Sequence, residues 1–305
     1  MGRRPPEPAP EPLVPAPAPR PLSGRRELLH FALANRKLVV GLGIALGLLL
    51  VAIVGPFVAQ HPPLEYGGRL SLSPTARDGY WLGTTTLGQD VFAQLVTGLR
   101  LAFLVGALGG GIAACVGMLV GFTAGYRSGI VDEVLSVLTN VVLVIPTFAL
   151  LLVIAAYLKV RGVVTESVFI GLTSWPWAAR ALRAQTFSLV SRDFVDMARL
   201  SGRSSWQIVF REIAPNMSSY LFMMFILLFG GAILVATLLD FVGLGPSNTI
   251  SLGMMMQLAV QNAALQLHLW WWFLPPGFAI TALVGSLYVM NVGLDEVFNP
   301  KLRET

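Results

Sequence analysis

Six long apolar runs limit this chain to a membrane protein that crosses the bilayer several times. Each run is near or above the roughly 20 residues that span about 30 Å of hydrocarbon at 1.5 Å per residue. Of all residues, 55% are hydrophobic and 12% are charged, against about 25% charged in an average soluble domain. We therefore predict an all-α fold with six transmembrane helices. The predicted spans are Leu38–Ala59, Leu101–Ala124, Val134–Tyr157, Val163–Ala179, Asn216–Leu239 and Phe273–Val292.

Basic residues are concentrated on one side of these spans. Six spans place both termini on the same side, and that side holds 16 of the 21 Lys and Arg residues. The positive-inside rule assigns it to the cytoplasm. We predict a multi-pass protein of the cell (plasma or inner) membrane with cytoplasmic N- and C-termini and an extracytoplasmic segment over residues 60–100.

The N-terminal residues differ in composition from the rest. Residues 1–24 are dominated by Pro, Ala and Glu, so we expect a disordered cytoplasmic leader. Residues 25–305 then form one transmembrane domain. The lone Cys115 excludes an intrachain disulfide. The histidines lack metal-ligand spacing, so no metal site is expected. The basic residues are not interleaved with aromatic ones as in nucleic-acid sites, so nucleic acid is not an expected partner.

A charged segment between the fourth and fifth spans, Ser191–Pro215, has more internal structure than a connecting loop requires. We call it the elbow segment. Ser191 is a candidate N-cap and Gly202 a candidate left-handed C-cap, which delimit a first short helix. Ser204 and Gln207 have capping-box spacing and predict that a second helix follows at once.

Both helices of the elbow segment are predicted to be amphipathic. The first carries charged residues on one face, namely Arg192, Asp196, Arg199 and Arg203. The second carries apolar residues at i, i+3, i+4 and i+7, namely Trp206, Val209, Phe210 and Ile213. Such helices can seat against a partner protein. The alternative is a basic linker that lies on the lipid headgroups.

The elbow segment resembles the EAA loop in the membrane subunits of ABC importers. That pattern is Glu-Ala-Ala, three residues, Gly, and later a hydrophobic residue followed by Leu-Pro. Here it reads Asp196-Met197-Ala198, Gly202 and Ile213-Ala214-Pro215, with Asp for Glu, Met for the first Ala, and Ala for Leu. The resemblance implies a coupling helix that docks on a cytoplasmic ATPase. The residues implied in ATPase coupling are Asp196, Met197, Ala198, Gly202, Trp206, Phe210 and Pro215.

Three further motifs resemble the dipeptide/oligopeptide/nickel branch of this family. Leu82–Thr85 and Gly88–Val91 are similar to its Leu-Gly-Thr-Asp and Gly-Arg-Asp-Val signature, with Thr for Asp and Gln for Arg. Phe241–Gly245 is similar to its Phe-Leu-Gly-Leu-Gly run, and Asn299–Arg303 to its Asp-Pro-Arg-Leu-Arg tail. The chain is identified, over roughly residues 30–303, as a C-type membrane permease subunit of this branch.

The resemblance implies a set of partners. These are a homologous second permease subunit, two ATP-binding subunits at the cytoplasmic face, and an extracytoplasmic substrate-binding protein. ATP and Mg would bind on the ATPase subunits. This chain has no Gly-x-x-x-x-Gly-Lys-Ser/Thr loop, so we expect no catalytic residue, cofactor or metal of its own. The implied cargo is small oligopeptides, while nickel chelates and oligosaccharides are carried by close relatives.

Two hypotheses of other classes remain at this point. One is an ATPase-independent carrier or channel. The predicted span interiors hold no Asp, Glu, Lys, Arg or His, which counts against an ion-coupled carrier. Glu166, Asp240 and Arg100 are expected at span ends, within reach of water. The other hypothesis is a membrane scaffold that recruits partners without transport.

Two clusters, one of small residues and one of tryptophans, predict packing rather than chemistry. Repeated glycine and alanine residues in the second span predict close contact with neighbouring helices. Trp270, Trp271 and Trp272, just ahead of the last span, are interpreted as an aromatic belt at the membrane interface. The alternative is a stacking platform for a ligand.

Overall fold

The computed structural model describes residues 33–75, 77–157 and 161–298. Within these ranges the fold is all-helical, with one isolated β-bridge between Thr84 and Asp90. The predicted leader over residues 1–24 and the tail motif Asn299–Arg303 lie outside the described residues. In chain order the helices are α1 Arg36–Val58, α2 Val91–Tyr126, α3 Ile130–Val144, α4 Thr147–Tyr157, α5 Val163–Val190, α6 Asp193–Leu200, α7 Ser205–Ile208, α8 Ala214–Asn216, α9 Ser218–Phe241, α10 Leu252–Gln261 and α11 Trp270–Phe298.

Four of the described helices are long and apolar enough to cross a membrane: α1, α2, α9 and α11. A fifth span exists if α3 and α4 together count as one, although they meet at an angle of 76°. The predicted continuous helix over Val134–Tyr157 is therefore wrong. Pro146 lies at the break, and proline disfavours the helical conformation in the residue before it, here Ile145, which is extended (φ −73°, ψ 124°).

Helix α5 extends well beyond its predicted end. The fourth span was placed at Val163–Ala179, but α5 continues for another three turns to Val190. Arg180 and Arg183, which were assigned to the following loop, therefore lie inside a helix. At 28 residues, α5 is roughly 42 Å long at 1.5 Å per residue, which exceeds a bilayer core.

Glycines on α2 allow close contacts with two neighbouring helices. A Cβ atom on Gly117 would lie 2.8 Å from the Cβ of Ala178 on α5, and one on Gly110 would lie 2.7 Å from the Cα of Phe229 on α9. Contacts this short leave no room for a side chain. The predicted close packing of the second span is confirmed, and it fixes α2 between α5 and α9.

Helix α1 packs along α11 in the same manner. A Cβ on Gly41 would meet the backbone of Met290 at 2.7 Å. At one end of this pair, Lys37 Nζ lies 2.5 Å from a carboxylate oxygen of Glu296, and Asn35 donates to the same carboxylate at 2.8 Å. These polar contacts fix the register of the first and last described helices.

An ordered segment between α1 and α2 caps one end of the bundle. The Thr84 hydroxyl accepts from the Leu72 N–H at 2.8 Å, and the Thr84 carbonyl accepts from Trp271 Nε1 at 3.1 Å. Asp90 then caps α2, because its carboxylate accepts from the Phe92 N–H at 2.8 Å. The signature motifs around residues 82–91 thus tie this segment to both α2 and α11.

Candidate functional site

The elbow segment forms two short helices joined at a glycine, as predicted. Helix α6 begins at Asp193 and ends at Leu200. The second helical run begins with a capping box, in which Ser204 and Gln207 each bond to the other's backbone N–H. One detail of the prediction is wrong. Ser191 ends α5 and makes no cap for α6, whose N-cap position is Arg192.

The turn between the helices depends on Gly202. Its φ of +72° lies in the left-handed region that favours glycine. The Gly202 N–H donates to the Arg199 carbonyl at 3.0 Å, and the Arg203 N–H donates to the Ala198 carbonyl at 3.3 Å. These bonds satisfy the carbonyls at the end of α6 and turn the chain directly into the next helix.

A wider, π-helical turn follows, over Val209–Ile213. Here the Ala214 N–H donates to the Val209 carbonyl, which adds one residue to the turn. Sequence positions after Ile208 therefore do not keep a spacing of 3.6 residues per turn. Pro215 lies in the short helix α8 that leads into α9, consistent with its predicted place in a first turn.

One side of the elbow segment is buried against the helical bundle. Its apolar side chains join a cluster with residues of α2, α5 and α9, including Phe122 and Leu182. Burial of one Val or Ile side chain contributes about 1.5–3 kcal/mol. The elbow segment is therefore seated firmly on three helices. Its buried residues are Val195, Ala198, Ile208, Val209 and Ile213.

Four large apolar side chains of the elbow segment remain half to almost fully exposed in the described chain. Leu200 is 88% exposed, Met197 62%, Phe210 52% and Trp206 48%. The Trp206 and Phe210 rings stack with centroids 5.7 Å apart, so the two aromatic side chains form one flat surface. We call these four residues the elbow face.

Polar contacts at the edge hold this arrangement in place. Arg203 forms an ion pair with Glu212 across the turn. Arg199 bonds to Asp196 at 2.9 Å and lies over the Tyr126 ring at 5.7 Å from its centroid. Exposed ion pairs stabilise weakly, by about 1 kcal/mol or less. Their effect here is to orient charged groups around the elbow face.

Comparison with known proteins decides the family. The family described as binding-protein-dependent transport system inner membrane component matches residues 117–304, which include the whole elbow segment. The chain belongs to this family. It is a membrane permease subunit of the dipeptide/oligopeptide ABC type.

Three relatives illustrate the likeness over nearly full length. The permease is 30% identical over 278 residues to the di/tripeptide transport system permease protein DppC of Pseudomonas aeruginosa, covering 88% of this chain and 89% of the relative. It is 28% identical over 269 residues to the dipeptide permease protein DppC of Bacillus subtilis, covering 88% and 83%. It is 26% identical over 272 residues to the oligopeptide permease protein OppC of the same organism, covering 89% and 88%.

The structure brings together only part of the residue set that the sequence assigned to coupling. Met197, Trp206 and Phe210 lie on the elbow face, and Gly202 makes the turn beside it. Ala198 is buried underneath and so seats the segment. The set comprised Asp196, Met197, Ala198, Gly202, Trp206, Phe210 and Pro215, of which Asp196 and Pro215 are exposed at the edges.

The predicted apolar stripe of the second helix is split in the permease. Val209 and Ile213 are buried, whereas Trp206 and Phe210 are half-exposed. The π-helical turn begins at Val209, and the extra residue rotates the positions that follow it. Leu200, the most exposed member of the elbow face, was missed. The sequence signal that could have identified it is a leucine at the end of the charged helix α6, two residues before Gly202.

A second polar feature of the permease is a cavity between α3 and α5 that opens to the surface. It has a volume of about 120 Å³ and is lined by Ser136, Thr139, Asn140, Arg180, Arg183 and three residues of small or apolar type. Arg183 forms a two-point ion pair with Asp132, at 2.5 and 2.6 Å. Arg180 donates to the Asn140 side-chain oxygen at 2.6 Å. Charged residues therefore do occur within the helices.

Two carboxyl groups lie at helix ends, as predicted, but one of them is shielded from water. Glu166 is in the first turn of α5, and Asp240 is the next-to-last residue of α9. Asp240 is 3% exposed, and both side chains line one pocket between α5 and α9. Neither residue places an ionisable group in the middle of a span.

Proposed function

We propose that this chain is the transmembrane permease subunit of a binding-protein-dependent ABC importer. It moves small oligopeptides, or a related solute, into the cytoplasm, driven by ATP hydrolysis on partner subunits. The observation that supports this most is the elbow face. It is apolar, rigidly seated and uncovered in the described chain, and an exposed apolar patch of this kind is typical of a protein interface.

The proposal includes the full topology. Six spans would be formed by α1, α2, the bent pair α3–α4, α5, α9 and α11, within a transmembrane domain over residues 25–305 that follows a leader over residues 1–24. Both termini and the elbow segment would lie in the cytoplasm of a cell (plasma or inner) membrane protein. Residues 60–100 would face the outside, where a substrate-binding protein delivers the solute.

The mechanism follows from how the elbow segment is seated. Two ATP-binding subunits would dock on the elbow faces of this chain and of a homologous second permease. When the ATPases close, each elbow segment moves. Because its underside is packed on α2, α5 and α9, the displacement passes to the spans and alternates access between the two sides. ATP and Mg are bound by the partners, and this chain is no enzyme.

Two alternatives differ in substrate or class. The same machinery would serve nickel chelates or oligosaccharides, and the solute retained by the co-purified binding protein distinguishes these. The other alternative is an ATPase-independent carrier or channel. The names of the relatives, which are all peptide transport system permeases, favour the peptide importer.

The test uses substitutions that place a carboxylate on the elbow face. Leu200→Glu and Trp206→Glu should abolish co-purification of the ATPases and ATP-dependent uptake in proteoliposomes. Leu200 is almost fully exposed, so its substitution should leave membrane insertion unchanged. Leu70→Glu, at a leucine 70% exposed in the segment between α1 and α2, is the matched control and should still co-purify with the ATPases.

Two results would contradict the proposal. One is uptake by the Leu200→Glu complex at the unmutated rate. The other is solute uptake by the unmutated protein without ATP or ATPase subunits, which would favour the carrier or channel.

A further inference from the structure

The cavity between α3 and α5 contains two arginines in different electrostatic states. Arg183 is paired with Asp132 through two hydrogen bonds, so its charge is compensated. Arg180 bonds to Asn140, a neutral side chain. Among the described residues no carboxylate lies within ion-pair distance of Arg180. The cavity therefore carries one net positive charge.

The position of Arg180 leaves its guanidinium accessible. Arg180 and Asn140 are both exposed in the described chain, so a ligand can reach them. Arg180 lies ten residues before the end of α5 at Val190, roughly 15 Å along the helix axis, and Asn140 lies ten residues after the start of α3 at Ile130. Ionised side chains along membrane helices typically face a water-filled cavity on a substrate pathway.

The donor arrangement indicates which ligand would fit. A guanidinium group has five N–H donors in a planar fork that matches a carboxylate in two-point geometry. One donor of Arg180 is used by Asn140. The hydroxyls of Ser136 and Thr139 already bond to Asp132 and to the Leu135 carbonyl. The remaining donors belong mainly to the guanidinium, so the cavity favours an anion.

We propose that Arg180 binds the free α-carboxylate of a peptide substrate during its passage through the permease. This inference rests on the proposed function, because a peptide is the expected cargo. Every unmodified linear peptide carries this carboxylate whatever its side chains. An arginine at this point would hold peptides of different sequence in one orientation. Asn140 would position the guanidinium by occupying one of its donors.

The experiment measures ATP-dependent uptake in proteoliposomes that contain the complete importer and its binding protein. The probes are tri-alanine and tri-alanine amide, which lacks the carboxylate charge. The affinity of the binding protein for each probe is measured separately and divided out. Arg180→Gln should lower uptake of tri-alanine about tenfold or more, since charge-assisted hydrogen bonds are the strong ones. Uptake of the amide should change less than threefold.

Three further variants separate ligand binding from a structural role. Arg180→Lys keeps the charge and should retain about a third of the uptake of tri-alanine. Asn140→Ala removes the α3–α5 hydrogen bond but keeps the guanidinium, and should lose less than threefold. Arg100→Gln removes an exposed arginine of α2 that does not line the cavity and should change uptake of the two probes by the same factor.

The inference is overturned if Arg180→Gln lowers uptake of both probes by the same factor. It is overturned equally if Asn140→Ala matches Arg180→Gln, because Arg180 would then act as a tether between the helices. Normal uptake of tri-alanine by Arg180→Gln overturns it while leaving the proposed function intact. The proposed function itself fails if the unmutated complex takes up neither probe in the presence of ATP.

Discussion

Replacement of Gly202 by Asp should abolish uptake while leaving the permease inserted in the membrane. Nothing lies within 4 Å of a Cβ built on Gly202, so the side chain fits without a clash. The backbone is strained, because a non-glycine residue in the left-handed region costs about 1–2 kcal/mol. Burial of Val195, Ile208 and Ile213 contributes about 1.5–3 kcal/mol each. The strain is smaller than this sum, so the elbow segment should stay folded.

The loss of uptake should come from the charge at the docking surface. Gly202 lies two residues after Leu200, beside the elbow face, and an ATPase seated there would remove the carboxylate from water. An unpaired charge buried in this way costs several kcal/mol. At about 3 kcal/mol, docking weakens more than a hundredfold, since each 1.4 kcal/mol is a factor of ten.

Two substitutions at the same position separate charge from strain. Gly202→Asn has nearly the same shape, tolerates the left-handed conformation and adds no charge, so uptake should remain within about tenfold of the unmutated rate. Gly202→Ala tests the strain alone. The assays are ATP-dependent uptake in proteoliposomes and ATPase co-purification. Unmutated uptake by Gly202→Asp would remove the elbow segment from the mechanism, and equal loss in Gly202→Asn would refute the charge argument.

Two further predictions concern packing and capping. Gly110→Ala should destabilise the permease by about 1–3 kcal/mol, because its Cβ would lie 2.7 Å from the Cα of Phe229. At neighbouring Gly111, where a Cβ has nothing within 4 Å, the same change should be neutral or stabilising by up to about 1 kcal/mol. Burial raises the pKa of Asp90, so stability should fall as pH rises through that raised pKa. Asp90→Asn, which can still cap α2, should flatten this fall, whereas Asp90→Ala should cost about 1 kcal/mol. Thermal unfolding in detergent measures all four variants, and equal effects within either pair would contradict the reasoning.

Local signals predicted the joints of the elbow segment well. The capping box of Ser204 and Gln207 and the left-handed turn at Gly202 depend on residues a few positions apart, and the structure has both. It was harder to predict which side chains of these helices are buried. A continuous helical period assigned Trp206 and Val209 to one face but could not tell that Val209 is buried while Trp206 stays half-exposed. The π-helical turn over Val209–Ile213 was not predicted either. Nothing in the residues around Val209 announces the extra residue in that turn.

The ends of the helices were predicted less well than their existence. Hydropathy detects only the apolar part of a helix, and the helical backbone can continue into polar residues. Helix α2 begins at Val91, ten residues before the predicted start at Leu101. Its first turns contain the polar residues Gln94, Thr97 and Arg100, which end the apolar run without ending the helix. The polar end of α5 was missed for the same reason, and with it the position of Arg180.

Contacts between distant segments could not be read from the sequence. The three tryptophans at the start of α11 were interpreted as an aromatic belt, which predicts exposure. Trp271 and Trp272 are instead buried, and Trp271 donates to the Thr84 carbonyl 187 positions earlier in the chain. Such a bond depends on the folded arrangement of α11 and the segment between α1 and α2. The burial of Asp240 in a pocket that Glu166 also lines has the same origin.

Cysteine labelling at the elbow face tests the central claim most directly. In a Cys115→Ser background, Leu200→Cys should react with a membrane-impermeant maleimide only in inside-out vesicles, and bound ATPase subunits should block that reaction. Leu70→Cys should react only from the outer side. Labelling of Leu200→Cys from the outer side, or undiminished labelling with the ATPases bound, would contradict the account.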